Sequence, residues 1–382
     1  MKIVQTKDIR AHNRLKILKY IRQHRNTSRA EISEKMRLNK ATVSTIVKEW
    51  MDLHILRETQ LGTSTGGRKP IMLELIPDAG YCIAIDFDVT KIRVIVTDLN
   101  NELRDNYVIP LVGTNFLENY KQLYQYLDRL IATQKPSPYG LIGIGISVRG
   151  VVDRDGTIRN IPRLKWSNID IKTLVEDRYH VPVIVHNDGN LVALTELKQH
   201  PQYKELAIIN ITDVISTGLI TNGKLVQGYH GFANALGHHT INCTETEQCT
   251  CGKYGCWEQY CSNDAVLKAM NCHLQKPISR IEEFIAMVRM KDPHAVAVLE
   301  QFARYLAVGI ANIIFILNSE VIIINSVIVS SFPYLIPEIL HNILLPITET
   351  QDILLSDMGA DGPLLGASDL CIDGFFQALA NS

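Results

Sequence analysis

Three cysteines lie within eight residues of one another in the stretch CTCGKYGCWEQY, which runs from position 249 to position 260. Glycines separate Cys251 from Cys256, and they let a short loop turn tightly enough to bring sulfurs together. Thiolates in such a loop can bind zinc, form a redox pair or belong to a disulfide framework. A tetrahedral zinc site needs four ligands, and this loop supplies three of them.

The composition is typical of a soluble globular protein, with 46% hydrophobic and 21% charged residues. The 382 residues are enough for two or three domains. The first residues lack the basic, apolar and small-residue pattern of a signal peptide. The most apolar stretch begins at Tyr305, is interrupted by Asn312 and Glu320, and predicts a buried helix followed by a core strand. We therefore expect a cytoplasmic protein with no membrane partner, whose eight cysteines are thiols or metal ligands.

Charge is distributed unevenly along the chain. Residues 1–70 contain 16 Lys and Arg against 6 Asp and Glu, whereas the remainder contains 23 against 34. A basic N-terminal module on an acidic body is typical of a DNA-binding domain joined to a domain of another kind. A basic, solvated surface without function is the alternative.

The basic module has the pattern of a helix-turn-helix. Apolar residues in NRLKILKYIRQH recur at helical spacing. Ser28 with Glu31 forms the sequence pattern of a capping box for a second helix. Asn39 can cap a third helix, whose apolar face carries Val43, Val47 and Trp50. In this order the third helix is the one that reads DNA.

The opposite face of the third helix carries small and basic side chains that can reach bases and phosphates in a major groove. They are Lys40, Thr42, Ser44, Thr45 and Lys48. Two short β runs around a Gly/Ser/Thr tip then predict a wing, where Arg68 and Lys69 can enter a minor groove. A three-helix bundle with a basic surface is the alternative structure.

From Tyr81 onward the pattern changes to strands and helices. A strand pair, a third strand, a helix at 116–133 and the strand GLIGIGIS are followed by a second series that begins near residue 205. The same order occurring twice predicts two α/β lobes with a ligand cleft between them.

Several motifs in this chain resemble those of the ROK family of repressors, open reading frames and sugar kinases. The resemblance extends from about residue 10 to about residue 375, and it is closest to the subgroup with an N-terminal winged helix, which includes xylose and N-acetylglucosamine repressors. It is carried by NKATVSTIVKEWMDLHIL, GGRKPIMLEL, GIGISVRGVVD, HNDGN, GFANALGHHTIN and CTCGKYGCWEQY. The family implies an α/β fold in which a winged helix-turn-helix precedes a two-lobe, actin-like (ribonuclease H-like) sugar-kinase body.

The resemblance also implies an answer for the cysteines. His238 matches the family's zinc histidine, so His238, Cys249, Cys251 and Cys256 would bind one structural zinc ion. Four protein ligands leave no open position for chemistry. His239 is an alternative ligand, and a disulfide is the alternative use of the thiols.

The family's nucleotide-binding turns are degenerate in this chain. Asp88 and Val89 stand where kinases have glycines, Asp213 lies in the second turn, and NSV at residues 325–327 replaces a triple glycine. Carboxylates and side chains at these turns oppose phosphate binding to backbone N–H groups. We therefore expect no kinase activity and no catalytic residues, although Asp188 stands at the place of the family's general base.

The sugar-contacting positions are largely kept. The matching residues, which have side chains able to bind sugar hydroxyls, are Asn160, Asn187, Asp188, His238 and Glu258. Asn160 could instead cap a turn, and Glu258 could instead orient the zinc loop. Ala235 replaces a sugar-contacting glutamate of the family, so the effector is expected to be bulkier or differently substituted, unless sugar sensing is lost.

Taken together, the sequence predicts a regulator that binds operator DNA and a sugar or sugar derivative. The expected domains are a winged helix at 1–76, a first lobe at 77–190 joined by a C-terminal helix at 363–382, and a second lobe at 191–362. A homodimer, or a dimer of dimers, would place two reading helices on two DNA half-sites. The alternatives are a carbohydrate kinase with a DNA-binding head and a repressor controlled by a protein partner.

Overall fold

The computed structural model describes residues 6–61, 70–343 and 352–382, and all structural statements below concern these residues. They form an N-terminal head followed by two α/β units, each built on a five-stranded sheet.

The head contains three helices and a small sheet. Its elements are α1 (Thr6–Gln23), β1 (Thr27–Ser28), α2 (Arg29–Met36), α3 (Lys40–Asp52), β2 (Leu56–Leu61) and β3 (Ile71–Leu75). The sheet order is β1-β3-β2, with antiparallel pairing throughout. Strands β2 and β3 are the predicted wing, and its tip at 62–69 lies outside the described residues, as do Arg68 and Lys69.

Both helix caps of the helix-turn-helix were predicted from the sequence. The Asn39 side chain accepts a hydrogen bond from the Thr42 backbone N–H at 2.7 Å, and Ser28 accepts one from the Glu31 N–H at 3.2 Å. The capping box is formed only in part, because the Glu31 carboxylate accepts a hydrogen bond from the Tyr20 hydroxyl. Each cap satisfies a backbone N–H that the first turn of a helix leaves without a partner.

The first α/β unit surrounds a sheet with order β11-β7-β4-β5-β6. Its strands are β4 (Tyr81–Phe87), β5 (Lys91–Asp98), β6 (Leu103–Pro110), β7 (Leu141–Val148) and β11 (Val183–Asn187). Helices α4 (Phe116–Thr133) and α5 (Ile171–Tyr179) pack beside it, and a small sheet adds β8 (Val151–Val152), β9 (Ile158–Ile161) and β10 (Trp166–Ile169). The predicted helix at 116–133 coincides with α4.

The second α/β unit repeats the pattern with sheet order β14-β13-β12-β15-β16. Its strands are β12 (Leu206–Ile211), β13 (Ile215–Thr221), β14 (Lys224–Leu225), β15 (Val321–Ser326) and β16 (Asp352–Leu355). In both units a hairpin pairs antiparallel and a further strand adds in parallel, which supports the predicted duplication.

Eight helices complete the body. They are α6 (Asp188–Gln199), α7 (Glu258–Cys261), α8 (Asn263–Asn271), α9 (Ile281–Arg289), α10 (Pro293–Leu317), α11 (Val327–Ser331), α12 (Leu335–Ile343) and α13 (Gly362–Asn381). Helix α13 packs on the first sheet, on α6 and on α1 of the head. The predicted lobe boundary at 190 falls within α6, which packs mainly on the second sheet.

Helix α10 is long and apolar enough to cross a membrane by length and composition alone. Half of its most apolar window is buried inside the protein, where Phe302, Leu306 and Ile310 contribute to the core of the second unit. A buried core helix passes the same test, so α10 fits the predicted buried helix that precedes the core strand β15.

The head shares one apolar core with the body. Leu18 of α1 and Trp50 of α3 belong to the same buried cluster as Ile142 of β7 and Phe376 of α13. The Tyr139 hydroxyl also donates a hydrogen bond to the Leu53 carbonyl of the head at 2.7 Å. Because the shared cluster is buried and closely packed, a displacement of α13 would also displace the helices of the head.

Candidate functional site

The reading helix α3 has two distinct faces. Val43, Ile46, Val47 and Trp50 are buried in the core of the head. On the other side Lys40, Ser44, Thr45 and Lys48 are exposed and Thr42 is half-buried. The described DNA-binding candidates therefore share one accessible face of a capped helix, which is the arrangement that a major groove accepts.

A cavity of about 310 Å³ lies between the two α/β units. Its walls include every predicted sugar-contacting residue, namely Asn160, Asn187, Asp188, His238 and Glu258. Ala235 also lines the cavity, so the missing glutamate leaves space inside it. A cavity of this size between two lobes can enclose a small polar ligand.

Asp188 is the most deeply buried of these polar groups. It begins α6, and its Oδ2 accepts hydrogen bonds from the Ser216 hydroxyl at 2.6 Å and from the Asn210 amide at 3.0 Å. Its Oδ1 is buried and has no partner among the described residues. Burial raises the pKa of Asp188 to about 6, although the nearby Arg149 lowers it. The free Oδ1 is an acceptor that a ligand hydroxyl can satisfy.

Asn187 holds the start of α6 in place. Its Oδ1 accepts hydrogen bonds from the Gly189 and Asn190 N–H groups, and its Nδ2 donates to the Gly150 carbonyl at 2.9 Å. Both polar ends of this amide are therefore engaged within the protein. Asn187 lines the cavity mainly as the residue that orients Asp188.

Glu258 is the first residue of α7, and its Oε2 accepts a hydrogen bond from the Ile215 N–H at 3.2 Å. Burial raises its pKa to about 7, while the guanidinium of Arg163 lowers it. Asn160 lies within β9 and is exposed to the cavity, so it does not cap a turn as the alternative interpretation proposed.

The structure brings the predicted metal ligands together. The ligand atoms of His238, Cys249, Cys251 and Cys256 all lie within 4.8 Å of one another. The Cys251 and Cys256 sulfurs are 3.6 Å apart, and the Cys249 sulfur is 3.7 Å from Nδ1 of His238. Bond lengths of about 2.3 Å to sulfur in a tetrahedron give separations of this size. The four residues fit a zinc ion in donor type, number and spacing.

The neighbouring candidates lie outside this cluster. Nδ1 of His239 contacts the Leu236 carbonyl, and its Nε2 lies 3.0 Å from the Asn312 amide, so both of its ring nitrogens are engaged. Cys243 is exposed, and the Cys261 sulfur donates to the Phe302 carbonyl. Of the two histidines that the sequence left open, the geometry selects His238.

Between the two segments that the resemblance implied as nucleotide turns lies a residue that the sequence analysis missed. Arg149 follows β7 directly, and its guanidinium contacts Asp88 in the first turn and approaches Asp213 of the second turn at 3.9 Å. Asp88 is therefore paired within the protein, with Arg149 and with Lys91 at 4.0 Å. A charged residue at the carboxyl end of a buried parallel strand could have indicated this, since ligand sites of α/β sheets lie at that edge.

The third degenerate turn is also filled by protein atoms. The Asn325 amide donates to Asn210 Oδ1 and to the Gly359 carbonyl, each at 2.9 Å. Where the resemblance implied a glycine, this chain therefore has an asparagine whose side chain is bonded to two groups of the protein itself.

Residues 82–373 match the model of the ROK family, and residues 10–57 match a model of winged helix-turn-helix DNA-binding domains. The chain belongs to the ROK family. It is 33% identical over 387 residues to the xylose repressor of Bacillus subtilis (strain 168), an alignment that covers 99% of this chain and 100% of that protein.

Solved ROK structures share the fold. A ROK family transcriptional regulator, described as a homolog of the E. coli MLC protein, aligns with a TM-score of 0.78 at 23% identity and covers 98% of this chain and 99% of its own. A ROK family glucokinase from Streptomyces griseus, solved with glucose and AMPPNP, aligns with a TM-score of 0.68 at 22% identity, over 76% of this chain and 99% of its own. The predicted family and fold class are confirmed.

Proposed function

We propose that this protein is a transcriptional repressor of carbohydrate-utilisation genes whose DNA binding is controlled by a sugar or sugar derivative. One observation carries the proposal: a capped reading helix and a polar interlobe cavity occur in one chain that aligns over 99% of its length with a xylose repressor. Operator DNA is the partner of the head, and the sugar is the ligand of the cavity.

The effector binds through hydroxyl groups. Asp188 Oδ1 is an unsatisfied buried acceptor among the described residues, and Asn160 and Glu258 offer further polar groups around the same space. Leaving a buried carboxylate oxygen without a partner is costly, so a ligand hydroxyl that reaches it gains free energy. Ala235 and the half-exposed Phe232 leave room for a substituent beyond a plain pentose or hexose ring.

We propose that the cavity binds sugar without phosphorylating it. Asp88, Arg149 and Asp213 occupy the space that phosphates would need, and Asn325 fills the third turn. If no nucleotide binds at these turns, a general base at Asp188 has no phosphoryl donor to act with. A kinase with an appended head is the alternative function, and sugar phosphate formation would reveal it.

The metal cluster is proposed to hold one structural zinc ion, bound by His238, Cys249, Cys251 and Cys256. His238 also lines the cavity, and the Lys253 ammonium donates to its backbone carbonyl at 2.9 Å. Zinc at this position would brace the loop that forms one wall of the cavity.

We propose that the protein acts in the cytoplasm as a homodimer, or a dimer of dimers. Helix α10 exposes Val308, Phe315 and Ile316; the seven-residue step puts Val308 and Phe315 on one face, and Ile316 lies beside them. Large exposed apolar side chains on one helix face favour pairing with a second copy of the chain. A dimer would present two α3 helices to two half-sites.

The proposal is tested by titrating the full-length protein onto promoter fragments from its own gene neighbourhood. One sugar from a panel that starts with xylose should shift the binding midpoint, by an amount no larger than its differential affinity for the free and DNA-bound forms, typically about 1–3 kcal/mol. Specific DNA binding by a chain that lacks residues 1–76 would contradict the assignment. Release from DNA that requires a protein partner and no sugar would favour the other alternative.

Single substitutions in α3 refine this test. Lys48→Ala should weaken binding to all sequences and lower the salt dependence by about one phosphate contact, whereas Thr45→Ala should change which sequences are preferred. Lys276→Ala, at an exposed lysine of the second unit, is the matched control and should change neither property.

A further inference from the structure

Arg149 joins the two α/β units by its charge. On the side of the first sheet it contacts Asp88, and its guanidinium lies 3.4 Å from Oδ2 of Asp86 at the end of β4. On the side of the second sheet it lies 3.9 Å from Oδ2 of Asp213, which follows β12. One guanidinium therefore links carboxylates that belong to two different sheets.

Arg149 and its partners in the first unit are buried, whereas Asp213, 3.9 Å away and 42% exposed, is the more accessible partner. The Arg149 side chain is only 10% exposed, and the Asp86 side chain is only 2% exposed. Burial lowers the pKa of Arg149, but Asp86, Asp88, Asp188 and Asp213 raise it above its ordinary value, so the charge is kept. Ion pairs at low exposure are screened little by salt, and removing one partner leaves the other charges uncompensated.

The cluster as a whole is negative. Four carboxylates, those of Asp86, Asp88, Asp188 and Asp213, act on the Arg149 guanidinium. Two further cations lie at the edge of the cluster, since Lys91 is 4.0 Å from Oδ2 of Asp88 and Arg163 donates to the Asp213 carbonyl at 2.8 Å. A phosphate or sugar acid placed here would meet this excess of negative charge, whereas a neutral hydroxyl would not. The charge balance also explains why two acidic turns can face each other across the cleft: the guanidinium lies between them.

The link also borders the ligand site. Arg149 lines the cavity beside Asp188, and within the described part of the chain its Nε is buried without a partner. Asp188 Oδ1 is in the same situation. On one side Arg149 contacts Asp88 and Asp213 across the cleft, and on the other side it lines the cavity that would hold the sugar.

We infer that Arg149 is an internal bridge that occupies the space between the two phosphate turns and holds the lobes closed, so that the sugar site is formed without any nucleotide. The inference rests on the proposed function for its link to sugar sensing, but the closure itself does not depend on a sugar. Arg149 acts as a positioning residue, through Asp88 and Asp213.

Hydrogen exchange on the full-length protein without ligand tests the closure. Asp213→Asn removes only the second-lobe end of the bridge, and its 42% exposed side chain makes misfolding of the variant a minor concern. Exchange in the turn at 212–214, between β12 and β13, and around Asp88 should rise about tenfold in Asp213→Asn and in Arg149→Gln. Arg159→Gln is the control, because Arg159 pairs with Asp153 inside one lobe.

Calcium provides a second readout that a merely structural arginine would not produce. Arg149→Gln leaves Asp86, Asp88 and Asp213 facing one another, and carboxylate oxygens are the ligands that Ca²⁺ prefers. Millimolar CaCl₂ should raise the melting temperature of Arg149→Gln and restore its slow exchange. It should do neither for the wild type, for Arg159→Gln or for Arg149→Gln/Asp213→Asn.

The outcomes separate this inference from the proposed function. Unchanged exchange in both single variants, or a calcium response that survives Asp213→Asn, would overturn the bridge whether or not a sugar is known. If the bridge holds and a sugar effector is found, Asp213→Asn should weaken sugar binding about tenfold, with Arg159→Gln unaffected. Sugar binding that is insensitive to Asp213→Asn would overturn the link between closure and sensing, and absence of any sugar response would contradict only the proposed function.

Discussion

At the scale of single residues, Asp188 affects both the stability of the fold and the proposed binding of sugar. Its folded-state pKa of about 6 lies above the ordinary value of 3.8 because the carboxyl is buried. The folded protein therefore binds this proton more tightly than the unfolded chain does. The stability that this group contributes is fully present below about pH 4 and is lost as the pH rises through about 6.

Asp188→Asn should raise the melting temperature at pH 7.5, because it removes a buried charge whose ionisation costs about 3 kcal/mol by the size of the pKa shift. The asparagine can still accept the hydrogen bonds from Ser216 and Asn210 through its Oδ1. The gain over the wild type should shrink as the pH falls from 7.5 to 4.5 in thermal melts. The same variant should lose the sugar-dependent shift in operator binding.

Asp155→Asn is the control for this experiment, since Asp155 is exposed in the turn between β8 and β9. A variant Asp188→Asn that is less stable than the wild type at every pH would contradict the assignment of Asp188 as a strained, ligand-directed carboxylate.

The metal cluster gives a second prediction at this scale. Cys251→Ala should reduce the zinc content of the purified protein from about one ion per chain to near zero and should lower the melting temperature, because a structural site contributes its binding energy to folding. Elemental analysis and thermal melts measure both effects. Cys272→Ala, at an exposed cysteine outside the cluster, should change neither. Wild-type protein that is purified without zinc and with a disulfide would exclude the metal site.

At the scale of secondary-structure elements, α13 lies between the cavity and the head. Helix α6 begins with the cavity residue Asp188, and near its end Lys198 contacts Asp369 of α13. Arg22 of α1 contacts the same Asp369, with 2.7 Å between Nη2 and Oδ1. Burial raises the pKa of Asp369, but Arg22 and Lys198 together lower it below its ordinary value. This buried carboxylate therefore connects the cavity helix to the first helix of the head.

Asp369→Asn should weaken the coupling between sugar and DNA while leaving each binding site intact. The variant loses the more buried of the two carboxylates that Arg22 and Lys198 share, while Asp373 still pairs with both cations, so the fold is kept but the link between α1, α6 and α13 is weakened. The operator-binding midpoint should then respond less to saturating sugar, although sugar affinity measured by calorimetry stays near that of the wild type. Glu102→Gln, which removes the exposed pair with Arg25, is the control and should keep the full response. An unchanged shift in Asp369→Asn would show that the signal takes another route.

At the scale of the whole molecule, the head is not an independent module on a linker. It shares a buried cluster with β7 and α13, so a change in the relation of the two lobes can alter the orientation of α3. In a dimer, a small rotation of each head changes the spacing of the two reading helices relative to the half-sites.

The oligomeric state can be tested on the exposed face of α10. Phe315 and Ile316 are 65% and 67% exposed, and Phe315→Asp would place a charge at the centre of this apolar face. Sedimentation should show a shift from dimer to monomer and operator affinity should fall, since a monomer binds one half-site only. Leu117→Asp, at a 69% exposed leucine of α4, is the matched control and should remain dimeric. A dimer that persists in Phe315→Asp would place the interface elsewhere.

Much of this protein is determined by its sequence alone. The helix caps at Ser28 and Asn39, the helix at 116–133 and the strand pairs of both sheets follow from local patterns of turn residues and apolar spacing, and these are short-range properties. The three cysteines belong to one loop that turns at glycines, so the sequence also predicted that their sulfurs lie close together. The family follows from motifs such as HNDGN and GFANALGHHTIN.

Other properties were decided only by the tertiary structure. His238 and His239 are adjacent, and only the folded loop directs the first towards Cys249 and the second towards Asn312. The sequence showed Asp88 and Asp213 as carboxylates that oppose phosphate, but it gave no sign of their pairing with Arg149, which is far from both of them in sequence. The three residues meet because strands of two sheets end at one cleft, and such long-range pairing of charges leaves no local signal in the chain.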